Sequence, residues 1–471
     1  MAWKPWVAFF AGLAALLTYL LLRWPDPAGP NGYFYLKNIQ ELSAFRGFYF
    51  RDYSLSLLFP AAINLVVRNP HVSWAVAVGT TAAATPCLLW ALVTGLTRKS
   101  AGLLPAFLSL AIACQYPLLE LELVYFKNAF ALALALASLA CAAWSIGRED
   151  GRKLRGGALL FAILALFSHK SMILWLFVLG LTLLSPRLLA ARDRLPRAVV
   201  PGLAALAAAA TLSYGRLWPQ VIDALSLSAS PDAFRFWLRH NFELEPAFTV
   251  ATVSSFAALV YLAGKTWRRP RENALALATW GLVLLLDFHP WQEPGSNGLH
   301  YRLWLLLPVL PVALAGELYV RAKPYGRIAM AAALVAAFAW ELADMRENFA
   351  GDFPEYAALA ADVRNIPRFV RPENRLLCRH GLEFYVDYLT GLRCRSFVDH
   401  EPKPGTWRIV YTGELPKRAI ADLRPLSPLP IGPSYMLLPE TAWIAAVAKF
   451  HLRQTIGNPS VERPAYIQDQ E

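Results

Sequence analysis

Apolar residues run along this chain in blocks about as long as a lipid bilayer is thick. The first block, 6–23, follows Lys4 and is long enough to cross a hydrocarbon core as a helix. Further blocks lie near 73–96, 101–116, 127–146, 157–168, 171–184, 199–213, 247–264, 273–289, 302–320 and 327–343. Together they predict about eleven membrane-spanning helices. The blocks 157–168 and 171–184 are short, and fit either one long helix or a re-entrant pair. No small-residue cleavage site closely follows the first block, which reads as an uncleaved helix. Beyond 343 the pattern changes. Residues 375–379, 393–398, 407–411 and 434–438 read as short strands, and 381–390 and 440–452 as helices. The expected fold class is a polytopic α-helical membrane protein over 1–343, with a long outer loop at 24–72, followed by a small soluble α/β domain at 344–471.

The basic positions orient these helices. Clusters at Arg98–Lys99, Arg148–Arg155, Arg187–Arg197, Lys265–Arg271 and Arg321–Arg327 follow blocks of matching parity. With a cytoplasmic N-terminus they all face the cytoplasm, as the positive-inside rule requires. The apolar stretch 54–68 would invert that parity if it spanned. It is therefore placed along the outer surface or tucked into the bundle. Loop 24–72, loop 214–246 and the whole tail are then extracytoplasmic.

Composition narrows the class further. Of 471 residues, 56% are hydrophobic and 17% charged, with a mean hydropathy of +0.38. Soluble domains run about 45–50% apolar and about 25% charged. The 26 Phe, 18 Tyr and 16 Trp exclude a disordered chain, and five cysteines are too few for a disulfide scaffold. A net charge of +12 would suggest nucleic acid in a soluble protein. Here it reads as a topology signal, and no RNA-binding motif or Gly-rich phosphate loop accompanies it. Cys378 and Cys394 fall on neighbouring expected strands; they could pair in an oxidising compartment or stay as buried thiols. Cys87, Cys114 and Cys141 lie in spans and read as small hydrophobes.

Polar groups in a membrane bundle are costly and mark function by default. Here they gather at the outer side. The loop opens with Trp24-Pro25-Asp26 and continues into Tyr33-Phe34-Tyr35-Leu36. The spacing of Tyr33, Leu36, Ile39 and Leu42 suits a helix lying in the interface, with its aromatics at headgroup depth. Asp26 and Asp52 are the loop's acids near the membrane, with Glu41 between them. Glu120 and Glu122 stand at the outer end of a block. Two apart on a helix, they point about 200° from each other, so only one can face a given cavity. Glu120 and Lys127, seven apart, are expected to share a face. Ser168-His169-Lys170-Ser171 interrupts a hydrophobic hairpin, and His beside Lys between serines suits a phosphate. Asp287, His289, His300, Tyr301 and Arg302 bracket loop 290–299, where Arg suits bidentate phosphate recognition. No ligand spacing supports zinc at His169, His289 and His300. A divalent ion at Asp26 or Asp52 stays open beside a metal-free mechanism. In the latter, a carboxylate deprotonates the attacking hydroxyl and cations hold the leaving phosphate.

The chain resembles the GT-C superfamily of integral membrane glycosyltransferases, which take sugars from polyprenyl-phosphate donors. The resemblance is carried by Tyr33-Phe34-Tyr35-Leu36-Lys37, by Asp52-Tyr53-Ser54-Leu55 through Pro60, and by Gly381-Leu382-Glu383-Phe384-Tyr385-Val386-Asp387-Tyr388. It covers the architecture of the whole chain. It implies an inverting hexosyl- or pentosyltransferase of a bacterial inner membrane, working on the extracytoplasmic face among membrane lipids. The donor would be a polyprenyl-phosphate-linked sugar and the acceptor a lipid, a glycan or a protein. Asp52 or Asp26 would be the base, and Glu120 or Glu122 a second acid. Lys127, His169, Lys170, His300 and Arg302 would bind donor phosphate. Two other classes remain open: a polysaccharide polymerase or ligase acting on lipid-linked glycans, and a lipid or glycan transporter. The lack of an internal repeat, and polar groups near one face instead of the midplane, weigh against transport. A membrane scaffold is the weakest reading.

Overall fold

The computed structural model describes residues 4–24, 26–27, 31–49, 53–148, 151–190, 246–287, 306–378, 382–396, 405–411, 429–433 and 435–450. In chain order the helices are α1 (Lys4–Leu22), α2 (Gly32–Ser43), α3 (Leu58–Val67), α4 (Pro70–Thr97), α5 (Leu104–Ala113), α6 (Tyr116–Val124), α7 (Phe126–Ser145), α8 (Arg152–Ser168), α9 (Met172–Leu179) and α10 (Ser185–Ala190). They continue as α11 (Pro246–Arg268), α12 (Pro270–Asp287), α13 (Val309–Arg321), α14 (Pro324–Arg364), α15 (Leu382–Thr390) and α16 (Glu440–Phe450). Five strands complete the fold: β1 (Arg375–Cys378), β2 (Cys394–Ser396), β3 (Thr406–Tyr411), β4 (Leu429–Pro430) and β5 (Tyr435–Pro439). The chain divides into two compact units. One holds Met1–Thr18, Tyr53–Ser56 and Val78–Arg346; the other holds Tyr19–Asp52, Leu57–Ala77 and Glu347–Glu471.

The first unit is helical where it is described, with fewer long apolar helices among the described residues than the eleven blocks of the sequence. Among the described residues, α4, α7, Met172–Ala190 and Pro324–Leu342 are long and apolar enough to cross a membrane. Helices α5 and α6, bent by 89°, would make a fifth span. The block 199–213 lies outside the described residues. Pro70, Pro246, Pro270 and Pro324 each open a helix, where the missing N–H is no loss. Pro117 near the start of α6 cannot continue the ladder of α5, which accounts for the bend at Gln115. Close helix approach is set by Gly79: a Cβ there would meet the Thr18 hydroxyl at 2.5 Å and the Ala14 carbonyl at 3.0 Å, so α1 and α4 touch through bare backbone.

Two local expectations change. The blocks 157–168 and 171–184 form two separate helices, because His169 takes an extended backbone (φ −158°, ψ 125°) and ends α8. A π-helical turn, Gly180–Leu184, then joins α9 to α10. Glu120 and Lys127 do not share a helix face. Tyr125 (φ −108°, ψ 57°) leaves the helical region, so Glu120 sits on α6 and Lys127 in the first turn of α7.

In the second unit the strands lie in the order β2-β1-β3-β5-β4. Strand β1 runs parallel to β2 and β3, with α15 crossing over between β1 and β2; β5 runs antiparallel to β3 and β4. Cys378 and Cys394 form a disulfide that brackets α15. The buried Arg408 guanidinium grips the Glu440 carboxylate with two nitrogens, tying β3 to α16. Helix α2 belongs to this unit. Its Tyr33, Phe34, Tyr35, Leu36 and Ile39 are buried, and the ring centroids of Tyr33–Tyr385, Phe34–Phe384 and Tyr33–Tyr388 lie 4.5, 5.0 and 5.3 Å apart. The aromatic face expected at lipid headgroup depth is thus covered by α15. Each such burial is worth about 1.5–3 kcal/mol.

The hairpin turn before β5 seats on the end of α14. Asn365 Nδ2 donates to the Ile431 carbonyl at 2.9 Å, and the Asp362 carboxylate lies against Gly432. A Cβ on residue 432 would fall 1.7 Å from Asp362 Oδ1. Gly432→Ala is therefore expected to destabilise the second unit by about 1–3 kcal/mol through overpacking. A lower Tm with earlier proteolytic cleavage in the tail would show it. An unchanged Tm would mean that the turn and α14 are not packed as described.

Candidate active site

Asp26 is four residues past the end of α1, in a stretch where Pro25, Pro27 and Pro30 prevent helix. The chain then folds back on itself. A Cβ at Gly32 would lie 2.8 Å from the Pro27 side chain, so only glycine lets the loop close there. This closure brings the Tyr33 hydroxyl, in the first turn of α2, to donate to Asp26 Oδ1. Arg364, the last residue of α14, places Nη2 2.7 Å from the same oxygen. Asp26 is 7% exposed, so its charge is balanced mainly by this clamp. Burial first, and the hydrogen bond to Asp26 second, push the Tyr33 phenol far above its ordinary pKa. Tyr33 therefore stays a proton donor to the carboxylate across the physiological range.

A second tie joins α2 to α15. Tyr49 donates to Asp387 Oδ2 at 2.5 Å, and Lys37 Nζ lies 3.6 Å from Asp387 Oδ1 and 3.3 Å from Glu41. Asn38 Oδ1 accepts from the Tyr49 backbone N–H at 3.0 Å. The acid-bearing loop is thus held along both its helix and the segment that follows.

The first unit collects most of the other candidates. At the break between α8 and α9, Ser54 donates to the Ser168 carbonyl at 2.5 Å and lies 2.7 Å from the Ser56 hydroxyl. His169 Nδ1 accepts from the Ser171 backbone N–H at 3.2 Å and lies 2.5 Å from its hydroxyl. Those contacts make Nδ1 the acceptor and put the proton of the neutral ring on Nε2. Lys170 is exposed. Helices α7 and α8 pack as a hairpin, with Ser138 Oγ donating to the Ala158 carbonyl at 2.7 Å. Lys127 lies as many residues before Ser138 as His169 lies after Ala158. At an equal rise per residue, Lys127 and His169 stand level at one end of the hairpin.

Glu122 is buried on α6. Thr85 hydrogen-bonds its side chain, and Oε1 has no partner among the described residues. Glu120 is half-buried on the same helix. Asp52, His289, His300, Tyr301 and Arg302 lie outside the described residues, as does the side chain of Asp287. Asp26 therefore belongs to the second unit, and Glu120, Glu122, Lys127, His169 and Lys170 to the first. Among the described residues no group of three or more His, Cys, Asp or Glu is placed to hold a metal ion. Sequence reading missed Arg364. It stands 338 residues from its partner Asp26, and no local spacing signals that contact.

No family model and no curated protein matches the sequence. Solved structures do share its fold. ArnT from Cupriavidus metallidurans in the apo state matches with a TM-score of 0.55 at 14% identity, over 94% of this chain and 99% of that one. ArnT from Cupriavidus metallidurans bound to undecaprenyl phosphate matches with a TM-score of 0.52 at 14% identity, over 93% and 98%. Likeness at that identity speaks for the fold, and it runs through the helices and the tail alike. The chain has the fold of those ArnT structures.

Proposed function

We propose that this protein is a membrane glycosyltransferase that takes a sugar from a polyprenyl-phosphate-linked donor. The observation that carries the reading is the end-to-end likeness to ArnT, one structure of which holds undecaprenyl phosphate. The acceptor is a lipid, a glycan or a protein hydroxyl. The protein spans the inner membrane several times, with its N-terminus cytoplasmic and its tail extracytoplasmic. The Cys378–Cys394 disulfide supports that side, because such bonds persist in oxidising compartments.

The reaction on this reading is an inverting displacement. A carboxylate takes the proton of the acceptor hydroxyl. The acceptor oxygen attacks the anomeric carbon while the bond from that carbon to the phosphate oxygen breaks, and polyprenyl phosphate leaves. Lys127, His169 and Lys170, with His300 and Arg302, hold the departing phosphate. His169 suits the task because Ser171 fixes its ring through Nδ1, which orients the imidazole. Asp26 already carries a salt bridge and a tyrosine hydrogen bond on one oxygen, which marks it as a structural or positioning acid. That favours Asp52 as base. Glu122 or Glu120 serves as the second acid, reading a sugar hydroxyl.

Release of polyprenyl phosphate by purified protein, scored over a panel of polyprenyl-phosphate sugars, tests the function directly. Asp52→Asn is expected to lower transfer by about 10²–10⁴-fold, the range of a lost general base. Full transfer after both Asp52→Asn and Asp26→Asn would overturn the base assignment. Arg364→Gln leaves the Asp26 carboxylate without its cation, and because Arg364 is half exposed the expected loss of stability is about 1–2 kcal/mol. It is read as a lower Tm, with transfer by the surviving folded fraction reduced less than by Asp52→Asn. Arg364→Gln with wild-type Tm would mean that the clamp contributes nothing.

A further inference from the structure

The far end of the α7–α8 hairpin, away from His169, carries a different charge problem. Arg98 Nη2 donates to the carbonyls of Ala143, Trp144 and Ile146 at 3.2, 3.5 and 2.7 Å, closing the C-terminus of α7. Arg327 donates to the Tyr319 and Val320 carbonyls at 3.0 and 3.1 Å, closing that of α13. Cations at helix C-termini are balanced by the helix dipole. The remaining ones are not accounted for in this way. Glu317, 6% exposed, takes Lys265 Nζ at 3.2 Å on both oxygens and Arg321 Nη2 at 2.7 Å. Arg187, half-buried, is within electrostatic reach of Glu317, of Arg321 and of Arg98. Arg148 stacks on Trp144 and lies within electrostatic reach of Arg98, and Arg268, Glu317 and Arg321 each lie within electrostatic reach of Tyr261. Among the described residues, Lys265 and Arg321 thus pair with one buried acid, Arg187 lies within electrostatic reach of it, and Arg268 and that acid both lie near Tyr261. Burial first, then repulsion from Arg187 and Arg148, holds Arg98 below its ordinary pKa.

These cations call for an anion, and the flanking residues say at what depth. Trp267 is 91% exposed and Tyr325 86% exposed, directly beside this cluster in sequence. Exposed Trp and Tyr at the ends of apolar helices sit at lipid headgroup level. We propose that the cluster around Glu317 binds the phosphate of an anionic phospholipid, with Arg187, Arg268 and Arg321 as its ligands. Guanidinium groups accept a phosphate bidentately, and basic pockets between membrane helices take such headgroups. The site is separate from the proposed transfer chemistry and does not depend on it.

Purified protein in neutral detergent, titrated with phosphatidylglycerol and scored by lipid retention in native mass spectrometry and by Tm, tests the site. Phosphatidylglycerol is expected to be retained and to raise Tm, whereas phosphatidylcholine and inorganic phosphate at equal concentration do neither. Arg187→Gln and Arg268→Gln are each expected to weaken retention about fivefold. Lys153→Gln, an exposed cation at the start of α8, should leave it unchanged. Equal retention of phosphatidylcholine, an equal Tm rise with inorganic phosphate, or an equal loss in Lys153→Gln would overturn the proposal. Arg268 is exposed, so its variant folds even if Arg187→Gln does not, and undiminished retention by Arg268→Gln alone would also overturn it.

Discussion

The aromatic face of α2 has to be covered, and the tail covers it. Tyr33, Phe34, Tyr35, Leu36 and Ile39 present more apolar surface than a short loop helix can hide by itself. Helix α15 supplies Phe384, Tyr385 and Tyr388 against that face. Much else in the second unit serves this contact. The disulfide brackets α15 and limits where it can move. Asp387 anchors it to Lys37 and Tyr49 at one margin. At the other margin Arg364 pairs with Asp26, whose Oδ1 also receives the Tyr33 hydroxyl. The position of an acid near the first helix is therefore fixed by residues more than three hundred positions along the chain.

How far the sequence foretold the structure follows from the range of each force. Apolar blocks marked the helices well, since burial in a bilayer needs a continuous run of apolar residues. Four of the five short strands of the tail and the helix between the first two were equally plain; the two-residue β4 left no pattern, and the neighbouring strands of Cys378 and Cys394 allowed either a disulfide or two buried thiols. Hydropathy misjudged what lies over a helix face. The aromatics of α2 fit a lipid interface or a protein partner equally well, and only the tail decides between them. It also misjudged helix ends. The apolar block stops at 343, but α14 runs on to Arg364, because a helix can leave an apolar medium without losing its own hydrogen bonds. The shared face expected of Glu120 and Lys127 failed at one residue, Tyr125, whose backbone leaves the helix. The Asp26–Arg364 pair had no local trace at all.

Charge is distributed by function as well as by topology. Read from composition, the +12 was chiefly a signal of which loops stay inside. The side chains divide it more finely. Arg98 and Arg327 complete helix ends. Lys265 and Arg321 neutralise a buried glutamate. Arg148 and Arg187 both lie near Arg98, at the end of the α7–α8 hairpin away from His169.

The break at His169 shows how the proposed chemistry would hold together. Had α8 and α9 been one straight helix, the Ser168 carbonyl would be bonded within it and His169 would project at whatever angle the helix imposed. With the helix broken, the Ser168 carbonyl accepts from Ser54. His169 is turned so that Ser171 fixes its Nδ1. Ser54 is two residues along the chain from Asp52. One hydrogen bond therefore ties Ser54 to the corner where α8 ends. Displacement at an anomeric carbon requires attacking and leaving oxygens on opposite sides of one atom, and small errors in that alignment are expensive in rate.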